Sequence, residues 1–349
     1  MKLQTLASSD KMEADSTTFE KTSIGDEEYV PFPVTSGNRK LYQQLIINNC
    51  DTSIECQIVE RLQSFGILPV SVQCTSNNPD CQLVCKTARV IDRVQWVCEM
   101  CGKRLPIRYG SFFFRLQCSL LQALQVILAW CEDADLVTTA EWCGVKTRVA
   151  ALIFDKLDDI AIREHHKTKL GGENSVVMAE MYPDCLNRLS PDTTDQPNMH
   201  RILMLADTKH IPTSYKLYVV KSHLKKQHCL VDNQNLREEI EEVISKIMEP
   251  GSILVIGDNV PQIDGFATVQ QLAQYCDGEM HHFLTRRVWQ QAISLCAASR
   301  DLCVAGQSSQ HVSVQRYLHT SLYRLAYEDG LFNHILRVIA SDFTLHSES

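Results

Sequence analysis

Four cysteines between positions 74 and 101 have the residue types and spacing of a structural zinc site. Cys98 and Cys101 enclose two residues, and the looser pair Cys74 and Cys81 supplies two more thiols, with Cys85 as an alternative ligand. Four thiolate sulfurs suit a tetrahedral Zn²⁺ ion, and four protein ligands leave no position open for catalysis. We therefore expect a structural zinc ion, the alternative being reduced, buried thiols without metal.

Positive charge surrounds these cysteines although the chain as a whole is acidic. From position 81 to position 119 there are seven lysines and arginines and only two acids, a local net charge of +5. Contacts to nucleic-acid phosphates need such a local excess of positive charge. Lys103, Arg104 and Arg108 are therefore candidate DNA contacts, the alternative being a solvated basic surface.

The segment that follows has the pattern of a helix-turn-helix. It predicts a helix at Thr138–Cys143, a turn at Gly144 and a second helix at Val145–Ile162. Lys146 and Arg148 lie near the start of the second helix, where such a helix meets base edges. Acids later in this helix would repel a phosphate backbone. They are Asp155, Asp158 and Asp159.

Composition limits the class of protein. The 349 residues are 44% hydrophobic and 22% charged, with a net charge of −8, which excludes a wholly disordered chain and a generally basic nucleic-acid coat protein. No apolar run is long enough for a membrane span. The 15 cysteines follow no secretory signal, so we expect reduced thiols in the cytosol or nucleus.

Composition and hydrophobic periodicity divide the chain into an acidic disordered tail, N-terminal helices, a zinc-knuckle module, the helix-turn-helix-like segment and a mixed α/β domain. Their predicted boundaries are 1–38, 39–70, 71–118, 119–166 and 172–343. In the last segment, five β-rich runs alternate with two helices before a helical C-terminal part. The predicted runs are Ser175–Tyr182, His200–Ala206, Tyr215–Val220, Ser252–Gly257 and His281–Thr285, with helices at Leu236–Met248 and Thr268–Cys276.

The order of these features resembles the Merlin superfamily of DDE transposases and its bacterial insertion-sequence relatives, from about Leu62 to Arg324. Three motifs carry the resemblance: Cys98–Phe113, Pro250–Asp258 and His281–Thr285. It implies an RNase H-like fold whose carboxylates hold two Mg²⁺ ions for phosphodiester chemistry.

The resemblance places the three catalytic carboxylate positions at Glu180, Asp258 and Arg316. The family has aspartate where Glu180 stands, retains Asp258 and has glutamate where Arg316 stands. A guanidinium stays protonated and opposes a divalent cation, so we expect no bound Mg²⁺ and no cleavage. The alternative is that Asp207 replaces the missing ligand.

Together these features predict a transposase-derived, non-catalytic nuclear protein that binds DNA or chromatin. One alternative is a scaffold for nuclear protein partners without DNA binding, and another is an active Mg²⁺-dependent nuclease. The predicted cofactor is structural zinc alone. A homo-oligomer is a further hypothesis, since transposases of this type act as multimers.

Overall fold

The computed structural model describes residues 29–47, 53–76, 81–173, 175–182, 201–207, 214–221, 230–257, 260–268 and 310–347. None of the helices within these ranges is long and apolar enough to cross a lipid bilayer. Several predicted features lie outside the described residues. They are positions 1–28 of the acidic tail, Asp258, the strand at His281–Thr285 and all but the first residue of the helix at Thr268–Cys276.

The described residues contain five helices in the first half of the chain and three in the second half. They are α1 (Ser36–Ile46), α2 (Ile54–Ser64), α3 (Leu120–Cys131), α4 (Leu136–Cys143), α5 (Thr147–Lys167), α6 (Leu230–Ile247), α7 (Gln310–Tyr327) and α8 (Leu331–Ser347). A short 3₁₀ turn, Glu328–Gly330, joins the last two. The two helices expected at 39–70 are α1 and α2, and the expected helix-turn-helix outline is α4, Gly144 and α5.

Local capping explains where these helices begin and end. Ser119 and Gln122 form a capping box at the start of α3, and the Asp135 carboxylate accepts hydrogen bonds from two N–H groups in the first turn of α4. Gly144 ends α4 in the left-handed conformation at φ +62°, which glycine adopts without steric cost. The Gln122 amide also donates to the Cys143 carbonyl, at 2.9 Å, so α3 supports this turn.

One hydrophobic core unites helices from both ends of the chain. It contains Tyr42 of α1, Trp130 of α3 and Phe332 of α8, and its buried members lie at 42–161 and 323–339. The Phe332 N–H also donates to the Asn38 side chain, at 2.9 Å. The N-terminal helices, the cysteine-rich module, the helix-turn-helix segment and the C-terminal helix therefore share a single core.

The cysteine-rich module contains a small antiparallel sheet that the sequence analysis did not predict. Its strands are β1 (Leu83–Thr87), β2 (Val94–Cys98) and β3 (Arg104–Pro106), in that order. Burial alternates along β2, which points Val94, Trp96 and Cys98 inward. The module thereby attaches to the helical core through one face of its central strand.

The second half of the chain forms a five-stranded mixed sheet. Its strands are β5 (Val176–Tyr182), β6 (Arg201–Asp207), β7 (Ser214–Val220), β9 (Ile253–Ile256) and β10 (Ala267–Thr268), in the order β10-β9-β5-β6-β7. β6 is antiparallel to β5 and β7, whereas β9 runs parallel to β5 and β10 parallel to β9. A separate pair, β4 (Leu170–Gly171) and β8 (Met248–Glu249), is parallel.

Two helices cover opposite faces of this sheet. Apolar residues of α6, including Leu236 and Ile240, pack on the face that carries Val177 and Leu205. Val314 and Leu318 of α7 pack on the other face, against Met178. The fold is therefore mixed α/β, as expected from the sequence.

Candidate functional site

The structure brings Cys74, Cys81, Cys98 and Cys101 together, with their Sγ atoms all within 4.8 Å of one another. The Cys74 and Cys101 sulfurs are 3.5 Å apart. Sulfur ligands about 2.3 Å from a tetrahedral Zn²⁺ would lie roughly 3.8 Å from each other. The donor set and its spacing fit such an ion, so these four cysteines could bind a metal such as zinc.

Two backbone features deliver the four thiols. A tight turn follows β2, in which the Gly102 N–H donates to the Cys98 carbonyl at 3.0 Å and the Cys101 N–H approaches Cys98 Sγ at 3.5 Å. An isolated β-bridge between Gln73 and Gln82 aligns the neighbouring Cys74 and Cys81. Each cysteine pair is thus held by its own backbone hydrogen bonds.

Two neighbouring polar residues that the sequence analysis did not assign to the cluster also contact it. The Ser76 hydroxyl donates to Cys81 Sγ at 3.0 Å and lies 3.1 Å from Cys74 Sγ. The Lys103 ammonium donates to the Thr75 carbonyl at 3.0 Å, which joins the loop of the first pair to the turn of the second. Lys103, predicted to contact DNA, therefore helps to close the cysteine cluster.

The thiols of the cluster have unequal proton affinities. The Lys103 backbone N–H and the Cys98 thiol lower the pKa of Cys101 to about 6. For Cys81, the Ser76 hydrogen bond acts to lower the pKa, but burial and the neighbouring Cys98 and Cys101 outweigh it and raise the pKa to about 11. Because thiolate is the form that binds metal, Cys101 is preorganised as a ligand.

Cys85, the alternative ligand, lies outside the cluster. It is a residue of β1 opposite Trp96 and is largely exposed. Partial burial of its thiol, together with the nearby Cys56 and Glu60, raises the pKa of that thiol. Its neighbours are thus residues of α2 rather than the other four cysteines.

The prediction that Arg108 contacts DNA is wrong. The Arg108 side chain is buried and pairs through two nitrogens with the Asp92 carboxylate, one of them at 2.6 Å. A third hydrogen bond joins it to the Leu116 carbonyl at 3.2 Å. Arg108 is therefore a structural residue that cannot reach a phosphate, because its charge is already satisfied inside the protein.

The other predicted DNA contacts are exposed. Arg104 lies on β3, and Lys146 and Arg148 flank the first residue of α5. The next two residues, Val149 and Ala150, are buried in the core, so the basic side chains at the start of α5 point outward. This arrangement places positive charge at the N-terminal end of α5, the second helix of the helix-turn-helix outline, where contacts to bases were expected.

The acids of α5 have a partner that the sequence did not reveal. Arg316 of α7 donates to Asp159 at 2.7 Å and to Asp158 at 3.3 Å, and also to the Asp155 backbone carbonyl at 3.0 Å. Asp158 additionally accepts a hydrogen bond from the Trp130 indole at 2.8 Å. The guanidinium thus neutralises part of the acidic surface that was expected to repel DNA.

Glu180 of β5 lies just beyond the end of the parallel strand β9, whose last residue, Ile256, pairs with Ala179. Glu180 is buried, and its carboxylate accepts a hydrogen bond from the Met181 N–H at 3.0 Å. A Cβ at Gly257 would lie 1.7 Å from Glu180 Oε2, so a side chain at position 257 would require this carboxylate to move. Asp258, the next residue, lies outside the described residues.

Asp207 cannot replace the missing metal ligand beside Glu180. Glu180 is paired with Met204 across the sheet, three residues before Asp207, which is about 10 Å along the strand. Side chains alternate between faces, so the two acids point to opposite faces. Asp207 instead accepts hydrogen bonds from Gly171 N–H at 2.8 Å and Ser175 Oγ at 2.7 Å, so its role is structural.

A histidine cluster lies where α5, α7 and β7 meet. The ring centroids of His165 and His166 lie 5.0 and 4.8 Å from that of His319. The Lys216 ammonium of β7 donates to the His165 carbonyl at 2.7 Å and to the Thr168 carbonyl. The adjacent pair at 165 and 166 was the only sequence signal of this cluster.

Comparison with known proteins gives one distant relative to report. Male abnormal protein mab-31 of Caenorhabditis elegans is 20% identical over 312 residues, which cover 80% of this chain and 66% of mab-31. The chain thus spans about two-thirds of that relative's length. No family model matches the chain, and no solved structure matches it. The transposase resemblance stays a prediction.

Proposed function

We propose that this chain is a zinc-stabilised, non-catalytic nuclear protein of transposase origin that binds duplex DNA. The observation that carries the proposal is the gathering of four cysteine thiols in a module of positive net charge. The exposed Lys146 and Arg148 at the start of α5 extend that positive surface. Zinc would hold the module together, and the basic side chains would contact phosphates.

The order and direction of the strands support a transposase origin. The first three strands of the main sheet are antiparallel and sequential, the next lies parallel to the first, and the last extends the sheet beyond it. A mixed sheet with the first strand and the parallel strand adjacent at its centre is compatible with the RNase H-like domain that the transposase resemblance implies.

The surroundings of the predicted catalytic positions support loss of cleavage. Arg316 is held by acids of α5, and Asp207 lies on the opposite sheet face from Glu180. A pair of Mg²⁺ ions needs several converging carboxylate oxygens. Among the described residues, Glu180 is the one acid at these predicted positions.

The proposal is tested by fluorescence anisotropy with a labelled DNA duplex and the full chain. With about four phosphate contacts, we expect the affinity to fall about a hundredfold between about 50 and about 200 mM salt. Lys146→Gln/Arg148→Gln should weaken binding, whereas Lys167→Gln, at the other end of α5, should not. No duplex cleavage is expected with Mg²⁺ or Mn²⁺.

Zinc is measured on the same preparations by elemental analysis. Wild type and Cys85→Ser should retain one zinc ion per chain, and Cys101→Ser should lose it. Absence of duplex binding at low salt would remove the DNA-binding proposal. Metal-dependent cleavage would show that catalysis has been kept.

A second candidate, a protein-interaction scaffold, is favoured by exposed apolar side chains on α4 and α5. Leu152 is 46% exposed one turn after Arg148 on α5, and Val137 of α4 is 53% exposed. Exposed apolar residues are common singly, so the pair alone favours no particular partner. Capture of a specific nuclear protein that Leu152→Asp abolishes, without any duplex binding, would favour the scaffold.

A further inference from the structure

The turn between β1 and β2 carries two arginines beside a cavity that no predicted site includes. The cavity has a volume of about 540 Å³ and is lined by residues from the turn and from the start of α2. These are Ser53, Cys56, Thr87, Ala88, Arg89 and Arg93.

Both arginines are available to a ligand. Arg89 and Arg93 are exposed, and neither guanidinium has a hydrogen bond or ion pair with another described residue. A guanidinium is permanently charged and presents a planar set of donors that matches phosphate oxygens. Two of them at one cavity therefore favour an anionic ligand with phosphate geometry.

The backbone holds these arginines in place. Arg93 has a φ of +58°, an uncommon conformation for a residue with a side chain, and its carbonyl accepts the Ala88 N–H at 2.8 Å. Between the arginines, the buried Asp92 pairs with Arg108 and pins the turn to the core. Strained backbone maintained by its surroundings occurs preferentially at ligand sites.

The tip of the turn adds apolar surface next to the arginines. Val90 is 42% and Ile91 is 55% exposed. The phosphodiester backbone of a nucleic acid alternates anionic phosphates with sugar rings. The arginines could therefore contact the phosphates of one strand while the apolar residues contact its sugar rings. Two acids, Glu55 and Glu60, lie on α2, and Lys86 of β1 already pairs with Glu99 at 3.0 Å, so the two arginines are the cations of the turn that remain to bind an anion.

We propose that the cavity between the β1–β2 turn and the start of α2 binds a phosphate group of a nucleic-acid backbone through Arg89 and Arg93. This inference rests on the proposed DNA-binding function and adds a second contact region to the start of α5. In it, Arg108 contributes indirectly, by anchoring the turn through Asp92.

The test compares duplex affinity across a salt series for the full chain and two variants of equal charge change. Arg89→Gln/Arg93→Gln should bind about tenfold more weakly at about 0.1 M salt and reduce the salt slope by about 2. The control Lys167→Gln/Arg337→Gln changes two exposed cations on α5 and α8 and should bind as wild type does. Arg89→Lys/Arg93→Lys should recover most of the affinity.

The same inference can be tested on the wild-type chain by measuring whether bound duplex protects a cysteine of the cavity from alkylation. Cys56 lines the cavity, so bound duplex should slow its alkylation by N-ethylmaleimide relative to the rate without duplex, as read by peptide mass spectrometry. Duplex binding that neither protects Cys56 nor weakens in Arg89→Gln/Arg93→Gln overturns this inference and leaves the proposed function standing. No duplex binding by wild type overturns both.

Discussion

Basic residues of the cysteine-rich module have three different physical roles despite their similar appearance in sequence. Arg108 is buried against Asp92, Lys103 holds the Thr75 loop, and Arg104 is exposed on β3. A charge count treats these residues alike. Burial and hydrogen bonding separate the residues that stabilise the module from those that can bind a ligand.

The Asp92–Arg108 pair gives a prediction at this scale. Asp92→Asn should lower the free energy of unfolding by about 3 kcal/mol, because it leaves a buried guanidinium without its counter-charge. The control Lys86→Gln removes one side of the exposed Lys86–Glu99 pair and should cost less than about 1 kcal/mol. Urea denaturation measures both; equal costs would contradict a structural role for the buried pair.

α5 is one of the elements that link the helical core to the sheet. Its first turn carries Lys146 and Arg148, its middle acids bind Arg316, and its last turn meets β7 through Lys216. A cation at the last carbonyls of a helix is electrostatically favourable. The contacts of Lys216 with the last turn of α5 therefore help to fix the helix that carries Lys146 and Arg148 at its other end.

The histidine cluster at this end of α5 predicts acid sensitivity. Burial and the nearby Lys216 and His319 lower the pKa of His165 to about 3, and burial with His166 and Lys216 lowers that of His319 to about 4. Because both pKa values lie below those of the unfolded chain, the unfolded state takes up protons first as pH falls. Each histidine should then cost on the order of 1.4 kcal/mol of stability per pH unit.

The effect should begin below about pH 6.5, the ordinary histidine pKa, and end near about pH 4 for His319. His319→Gln should show a shallower fall of unfolding free energy over this range, because one titrating group is removed. Urea denaturation at several pH values gives the two slopes. Identical slopes would show that His319 does not contribute.

At the scale of the whole molecule, the first and last described helices complete the helical core. α1 and α8 pack together, and Phe332 lies against Tyr42 with ring centroids 6.3 Å apart. Gly37 N–H also donates to the Asp329 carboxylate at 2.5 Å. The core that supports the cysteine-rich module and the start of α5 is therefore complete only when the C-terminal helix is in place.

This closure predicts that a change in α8 destabilises the N-terminal helices. Phe332→Ala should lower the free energy of unfolding by about 3–5 kcal/mol, because it opens a cavity in the shared core. Leu325→Ala, at a 43% exposed position of α7, should change it by less than about 0.5 kcal/mol. Hydrogen exchange should show lost protection in α1 as well as in α8; loss confined to α8 would contradict a shared core.

Sequence alone predicted the features that depend on neighbours along the chain. Helical periodicity located the N-terminal helices and the helix-turn-helix outline, β-rich runs located most strands of the main sheet, and the spacing of Cys98 and Cys101 indicated a metal pair. These signals are local, since a helix turn or a strand repeat involves only a few consecutive residues. The β1–β3 sheet was missed because its short strands lie among cysteines and charges.

Only the tertiary structure decided which distant charged and polar groups meet. Asp92 and Arg108 are 16 residues apart, Asp159 and Arg316 are 157, and Asn38 and Phe332 are 294. Whether an arginine binds a phosphate or an internal carboxylate depends on burial and on the partner that folding brings within reach. Neither property is present in the local sequence, because both arise when distant segments pack into one core.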